Sequence, residues 1–350
     1  MTAPSPKSLI LNLLLAADGD PLEASDAVLA SSLFGIRENS VRVALVRLGA
    51  AGLLASSGRG AYQLGPAAAN LAGEVQAPPG SGAVRDKVAF KRGIKRLQAL
   101  GHEVEVDPAA LLSHQRFAGD DATRLAAIGR AAASGAHVAM TTRGGYGLTR
   151  LLDQIEWPLI ARSVEQGTAW VGYSDVTALQ LAALAHKAAG PETVEEGVTA
   201  GFWAGPMASD DFGRADSPEG GDDVTQEVFV EAMTGELEAV GFRTEAGFDG
   251  LETRGRLWGG NMAVLQAMLG TRHFPKIKNG VLFLEDINEH PYRIERTLLQ
   301  LHQAGILDQQ KAILLGTFNG FKKSPLDRGY TLKTVIAYLR TLTSAPILTG

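Results

Sequence analysis

The 350-residue chain contains no cysteine. This absence excludes disulfide bonds, thiolate metal sites and a cysteine nucleophile, and it is typical of a protein from a reducing compartment. The chain also lacks a strong charge of either sign, because 33 basic and 38 acidic side chains give a net charge of −5. Charge alone therefore gives no reason to expect a nucleic acid or a membrane surface as a partner.

Long apolar runs and metal-ligand spacings are missing as well. The stretch Leu9–Ala17 is interrupted by Asn12 and is shorter than the roughly 20 residues that a membrane-spanning helix needs. We therefore expect an amphipathic helix there, in a cytoplasmic protein that does not enter a membrane. The seven histidines are scattered, so the sequence predicts no metal site. No organic cofactor is implied either.

Residues 1–73 combine helical apolar spacing with two short β-type runs around Ser57–Gly60. This order predicts a winged helix that binds DNA through residues 31–60, although a winged helix used for protein contact stays open. The candidate DNA-contacting residues are Ser40, Arg42 and Arg47 on the recognition helix and Arg59 at the tip of the wing.

Three stretches carry a resemblance over about residues 1–73: SLILNLLLAADG, LFGIRENSVRVALVRLGAAGLL and GRGAYQLG. They resemble the N-terminal winged helix of the PaaX family of bacterial repressors. The resemblance implies a recognition helix that inserts into the major groove of DNA.

The composition and the predicted secondary structure change along the rest of the chain. Residues 74–83 are rich in proline and glycine and predict a linker. From residue 84 onward strands alternate with helices, one of them expected at Tyr146–Gln154, which predicts a doubly wound parallel sheet. The expected units are an α/β domain over 84–200, a loop-rich connection over 201–250 and a C-terminal domain over 251–350.

The stretch around Ser174 predicts a strand, a tight turn and a helix. A serine at such a turn can attack a carbonyl, but Ser174 as a simple helix N-cap is an equally open interpretation. Gly172 fits half of a G-x-S-x-G elbow, whereas Val176 stands where the second glycine belongs. Upstream, the glycines of Arg143–Gly147 follow a strand and offer free N–H groups to a ligand.

Glu285 ends a predicted buried strand, where α/β enzymes place ligand-binding and catalytic groups. The alternative is a structural carboxylate bonded to Arg293 or Arg296.

Six collinear stretches between about residues 84 and 350 carry a second resemblance: RFAGDDATRLAAI, RGGYGLTRLL, VGYSDVTALQLA, LWGGNMAVLQAMLGT, VLFLEDINEHPYRIERTLLQL and KAILLG. They resemble the LD-carboxypeptidase family of serine peptidases. The resemblance implies a flavodoxin-like domain, a smaller mixed-sheet C-terminal domain, a murein-peptide substrate and a homodimer.

The same resemblance assigns roles within the site. It implies that Ser174 is the nucleophile and that Glu285 orients a catalytic histidine. The oxyanion hole would be formed by the N–H groups of Asp175 and of Gly145 or Gly144.

Two parts of the family pattern are not found in the sequence. The catalytic histidine follows the last strand in the family, whereas this sequence ends with Pro346–Gly350. The winged helix also takes the place of the first strand. We therefore expect a truncated peptidase with little activity. A transcription regulator with a hydrolase-like sensing domain and a non-functional fragment are the alternatives.

Overall fold

The computed structural model describes residues 6–17, 20–50, 53–65, 73–190, 200–215, 223–237 and 239–350. Within these ranges the α-helices are α1 (Pro6–Ala16), α2 (Ala24–Ser32), α3 (Glu38–Ala50), α4 (Lys87–Ala99), α5 (Asp121–Ala133), α6 (Trp157–Glu165), α7 (Thr177–Ala185), α8 (Asp223–Met233), α9 (Met262–Met268), α10 (Pro291–Gln303) and α11 (Leu332–Leu339). The β-strands are β1 (Leu22–Glu23), β2 (Leu54–Gly58), β3 (Ala61–Leu64), β4 (Glu74–Ala77), β5 (Glu103–Val106), β6 (Val138–Met140), β7 (Ala169–Val171), β8 (Gly201–Trp203), β9 (Leu257–Asn261), β10 (Val281–Ile287), β11 (Ala312–Asn319) and β12 (Ile347–Thr349).

The N-terminal unit consists of α1, α2 and α3 with a small antiparallel sheet of order β1-β3-β2. Val41, Leu45 and Leu48 lie at helical spacing on α3 and are buried in the core of this unit. The observed elements follow the predicted order of helices and hairpin. Their interpretation as a DNA-binding winged helix stays a prediction.

A five-stranded parallel sheet of order β5-β4-β6-β7-β8 follows. Counted along this domain, the order is second, first, third, fourth and fifth strand, which is the flavodoxin-like order. The predicted doubly wound fold is therefore confirmed. In such sheets the ligand-binding crevice lies at the carboxyl ends of the strands, where the order reverses between β4 and β6.

The structure contradicts the predicted linker over 74–83 in its first four residues. Residues 74–77 form β4, which pairs with β5 on one side and β6 on the other, so the first strand of the sheet is present. The strand was missed because it has four residues, of which Glu74 and Gln76 are polar, and because two prolines and two glycines follow closely. Its pairing is long-range and leaves no local signal.

The C-terminal sheet has the order β12-β11-β10-β9, and all of its described strands are parallel. The expected mixed sheet is thus wrong for the described residues. The helix predicted at Tyr146–Gln154 is also absent, because only Leu148–Arg150 form a short 3₁₀ turn. Gly147, which precedes this turn, has φ +135°, a conformation that does not start an α-helix.

The two parallel sheets share one apolar core. Trp170 and Leu181 from the first domain belong to the same buried cluster as Trp258 and Leu282 from the second. α8 connects this body to the N-terminal unit, because Val230 packs against the cores of both. Among the described helices, none has the length and apolar character that a membrane span requires.

Candidate active site

Three loops meet at the carboxyl edge of the first parallel sheet, after β4, β6 and β7. The loop after β4 is bonded to the loop after β6 twice. Gly80 N–H donates to Thr142 Oγ1 at 2.8 Å, and Gly82 N–H donates to Gly144 O at 3.0 Å. This edge is where the flavodoxin-like strand order places a ligand.

Ser174 stands at the tip of the third loop in a left-handed conformation, with φ +62°. A non-glycine residue in this region is strained, and such strain is concentrated at functional sites. Gly172 allows the tight turn, because a Cβ there would lie 2.9 Å from Val176 Cγ2. Ser174 does not act as a helix cap, since Tyr173 and Val176 occupy the N-cap positions of the 3₁₀ turn and of α7.

The glycine loop after β6 lies directly against this serine. A Cβ on Gly144 would lie 3.0 Å from both Cβ and Oγ of Ser174. Gly145 has φ +131°, and a Cβ on it would lie 2.8 Å from Gly82 N. Side chains at either position would therefore push the loop away from the nucleophile candidate. This close backbone approach is compatible with the predicted oxyanion hole, in which N–H groups of the glycine loop would face the developing charge.

Asp175 connects the serine turn to the glycine loop through its side chain. The carboxylate is buried and accepts a hydrogen bond from Leu148 N–H at 2.9 Å. Burial raises the pKa of this carboxyl group above its usual value. The Asp175 side chain thus has a structural role. The group of Asp175 that is predicted to face the oxyanion, together with a glycine N–H, is its backbone N–H.

Glu285 lies near the carboxyl end of β10, in register with Asn261 of β9. A buried network fixes this region, because Asn261 Nδ2 donates to Asp286 Oδ1 at 3.0 Å. Asn261 N–H in turn donates to Thr177 Oγ1 at 3.0 Å, three residues beyond Ser174. The network therefore joins the elbow in the first domain to the Glu285 strand in the second.

The Glu285 carboxyl group is incompletely satisfied. Its Oε1 is buried and has no hydrogen-bond partner within the described ranges. No ion pair to Arg293 or Arg296 is formed there, so the structural alternative for Glu285 finds no support. Burial, followed by the charge of Asp286, raises the pKa of Glu285 to about 6. An unpaired carboxylate of this kind can accept a hydrogen bond from an imidazole N–H.

The raised pKa predicts a pH-dependent stability difference between the wild type and Glu285→Gln. The folded state holds the Glu285 proton up to about pH 6, whereas the unfolded chain loses it near 4.5. The wild type should therefore lose stability relative to Glu285→Gln as pH rises through this window, by up to about 2 kcal/mol. Urea denaturation at pH 4 to 8 measures this difference. An exposed control, Glu252→Gln, should not reproduce it, and a pH-independent difference would contradict the prediction.

A further group of residues near the elbow was not predicted from the sequence. Tyr173 donates its hydroxyl to Asp211 Oδ1 at 3.3 Å, and Asp211 Oδ2 accepts Met207 N–H at 2.9 Å. Met207 Cε lies 3.6 Å from the position that a Cβ of Gly144 would take. The segment after β8 thus packs over the serine turn. Its sequence carries no motif, because the contacts of Asp211 with Tyr173 and of Met207 with Gly144 join residues more than 30 positions apart.

His290, the histidine that follows the Glu285 strand in the sequence, is held by structural contacts. It caps α10 by accepting Tyr292 N–H at Nδ1, and its Nε2 lies 3.1 Å from an Asp327 carboxylate oxygen. Both ring nitrogens therefore have structural partners.

The predicted DNA-contacting residues lie on the N-terminal unit. Arg42, Arg47 and Arg59 are exposed, whereas Ser40 is half-buried. Arg42 is paired with Glu38 at 2.7 Å, and the same helix exposes two valines, Val43 and Val46. This mixed surface offers less free positive charge than the sequence suggested, and DNA binding stays a prediction.

Comparison with protein families gives three matches along the chain. The LD-carboxypeptidase N-terminal domain matches residues 75–192, and the LD-carboxypeptidase C-terminal domain matches residues 254–350. The PaaX-like protein family matches residues 5–67.

Individual relatives agree with these matches. The crystal structure of a muramoyltetrapeptide carboxypeptidase from Oxalobacter formigenes is similar at 35% identity and a TM-score of 0.65, over 79% of this chain and 87% of that one. A carboxypeptidase-named protein of Streptomyces coelicolor is 31% identical over 65% of this chain and 70% of its own length. A protein of Bacillus subtilis named as a murein peptide carboxypeptidase is 29% identical over 73% of this chain and 75% of its own length.

Proposed function

Because the chain belongs to the LD-carboxypeptidase family, we propose that it is a serine peptidase that acts on murein peptides. Its reaction would be the release of the terminal D-amino acid from an L,D-linked tetrapeptide. The observation that carries this proposal is the left-handed backbone conformation of Ser174. This residue lies against Gly144 and does not serve as a helix cap.

In this mechanism Ser174 Oγ attacks the carbonyl carbon of the L,D bond. The N–H groups of Asp175 and of Gly145 or Gly144 stabilise the oxyanion that forms. A histidine held by Glu285 takes the serine proton and passes it to the leaving amine. Water then attacks the acyl-enzyme through the same base and releases the shortened peptide.

Residues 1–350 include no histidine beyond His302, which precedes β11. The unpartnered Glu285 Oε1 supports a site in which a histidine after β12 would complete the triad. We therefore propose that residues 1–350 alone are impaired in turnover. Homodimer formation and a cytoplasmic location remain predictions.

The test uses the chain with a histidine-bearing segment joined to Gly350. It measures the release of D-alanine from an L,D-linked tetrapeptide by this protein. We expect release from this peptide, none from the peptide that ends in L-alanine, and none from either with Ser174→Ala. Equal release by the Ser174→Ala variant would refute the assignment of the nucleophile.

A further inference from the structure

Two histidines meet at the seam between the two parallel-sheet domains. His186 directly follows α7 in the first domain, and His273 lies shortly after α9 in the second. Their rings are within hydrogen-bonding distance, because His186 Nε2 lies 2.9 Å from His273 Nδ1. Asp153 of the first domain lies on the other side of His273, with its Oδ1 2.9 Å from Nε2. Two polar contacts of His273 therefore cross the seam.

The carboxylate of Asp153 determines which ring nitrogens carry hydrogen. Hydrogen bonds from His273 and from Arg272, whose Nε lies 3.0 Å from Oδ1, lower the pKa of Asp153. The ionised carboxylate can only accept, so His273 Nε2 must carry a hydrogen and donate it. Nδ1 of a neutral His273 is then an acceptor, and His186 Nε2 donates to it.

This arrangement can take up one additional proton but not two. A proton on the outer nitrogen of His186, Nδ1, leaves the hydrogen bond between the rings intact. A further proton on His273 Nδ1 would place two N–H groups against each other. It would also bring two cationic rings together, with their centres 5.0 Å apart. Like charges at this distance repel each other, so the doubly protonated pair has no favourable contact across the seam.

The surroundings of His186 act on its charge in both directions. Burial, followed by the charges of His273 and Arg272, lowers the pKa of His186, and the charge of Asp153 acts against this shift. The C-terminal dipole of α7 and the face of Trp157 favour a cation; the Trp157 ring stacks on the imidazole with centres 4.6 Å apart. This balance affects where His186 titrates, whereas the conflict between two facing N–H groups does not depend on it.

The histidine pair, His186 and His273, joins one end of a contact between two helices. α7 packs against α9 across the seam. At the start of both helices, Asn261 N–H donates to Thr177 Oγ1 at 3.0 Å, three residues beyond Ser174. The histidine pair is the corresponding bond beyond their ends. The helix that follows Ser174 is thus held at both ends against elements of the domain that contains Glu285.

We propose that the histidine pair is a pH-sensitive connection between the two domains. It holds α9 against α7 near neutral pH and releases this end of the contact when both rings are protonated. The closed pair lacks one of the two protons that the released pair binds, so acid favours release. Release would loosen the placement of Glu285 relative to Ser174, which lies at the other end of α7.

Amide hydrogen exchange of the chain between pH 7 and 5 tests this connection without any need for turnover. The reporters are the amides of residues 186–188 and 271–274, whose exchange rates, corrected for their intrinsic pH dependence, give the opening constant. We expect this constant to rise about tenfold for each pH unit below 6.5, the usual pKa of histidine, because one proton separates the two states. His186→Gln should remove the dependence, since the amide can turn to donate to His273 or to accept from it.

His114→Gln, a change of an exposed histidine, is the matched control and should retain the wild-type dependence. NMR titration of the imidazole protons is a second measurement. We expect a His186 midpoint below 6.5 that rises in His273→Gln, because the charge of His273 is then absent. An opening constant that does not change with pH, an equal dependence in the wild type and His186→Gln, or a His186 midpoint above 6.5 would overturn the proposal.

Discussion

Joining a histidine-bearing segment to Gly350 is expected to raise kcat/KM for D-amino acid release by about 10⁴-fold over residues 1–350. This magnitude follows from serine peptidases, in which removing the base of the triad costs about 10⁴–10⁶ in rate. The expectation requires that a side chain beyond β12 can reach Glu285. The sheet geometry and the open hydrogen-bonding position of Glu285 both favour this.

The strand register brings the end of β12 level with Glu285. Leu284 of β10 lies beside Leu315 of β11, which lies beside Thr349 of β12. Two strand spacings, about 10 Å, therefore separate Glu285 from the position after Thr349. The intervening residue at this level is Gly316, whose missing side chain leaves room between them. A histidine and a glutamate together can span this distance.

The measurement is the initial rate of D-alanine release by chains with histidine at each of the first few positions after Gly350. Segments with alanine in place of histidine are the matched controls, and Ser174→Ala in the best chain should abolish the gain. We also expect Glu285→Gln to reduce the gain, because an amide orients imidazole less well than a carboxylate. Comparable turnover by residues 1–350, lost with Ser174→Ala, would contradict the requirement for the added histidine.

Local patterns were sufficient to predict the turn that carries Ser174. The strand before Ser174 and the helix after it follow from apolar periodicity, and Gly172 follows from the tight turn between them. The doubly wound parallel sheet also follows from the alternation of strands and helices, whereas its flavodoxin-like order was implied by the family resemblance. These features depend on neighbours in the sequence, which is why the structure agrees with them.

Features that depend on distant partners could not be predicted in the same way. β4 was interpreted as a linker because its strand character comes from pairing with β5 and β6. The contact of Thr177 with Asn261 joins residues 84 positions apart. The interpretation of the C-terminal sheet as mixed came from a family resemblance, and the register of its described strands is parallel throughout.

Gly80→Ala is expected to destabilise the protein by about 3 kcal/mol or more and to abolish activity of the histidine-extended chain. A Cβ on Gly80 would lie 1.7 Å from the backbone oxygen of Arg143, so one of the two loops must move. Relieving this overpacking is costly, since the three nearest atoms are all backbone atoms of Arg143 and cannot rotate away as a side chain would. Because Arg143 precedes Gly144, the movement would displace the glycine loop after β6, the proposed source of oxyanion-hole N–H groups, from Ser174.

Gly129→Ala is the matched control, because Gly129 lies within α5 and a Cβ there would meet no atom within 4 Å. Alanine at this helical position should stabilise the protein by about 0.5–1 kcal/mol and leave activity unchanged. Urea denaturation with linear extrapolation measures both free energies of unfolding. A Gly80→Ala protein as stable and as active as the wild type would show that the loop after β4 does not hold the glycine loop after β6 against Ser174.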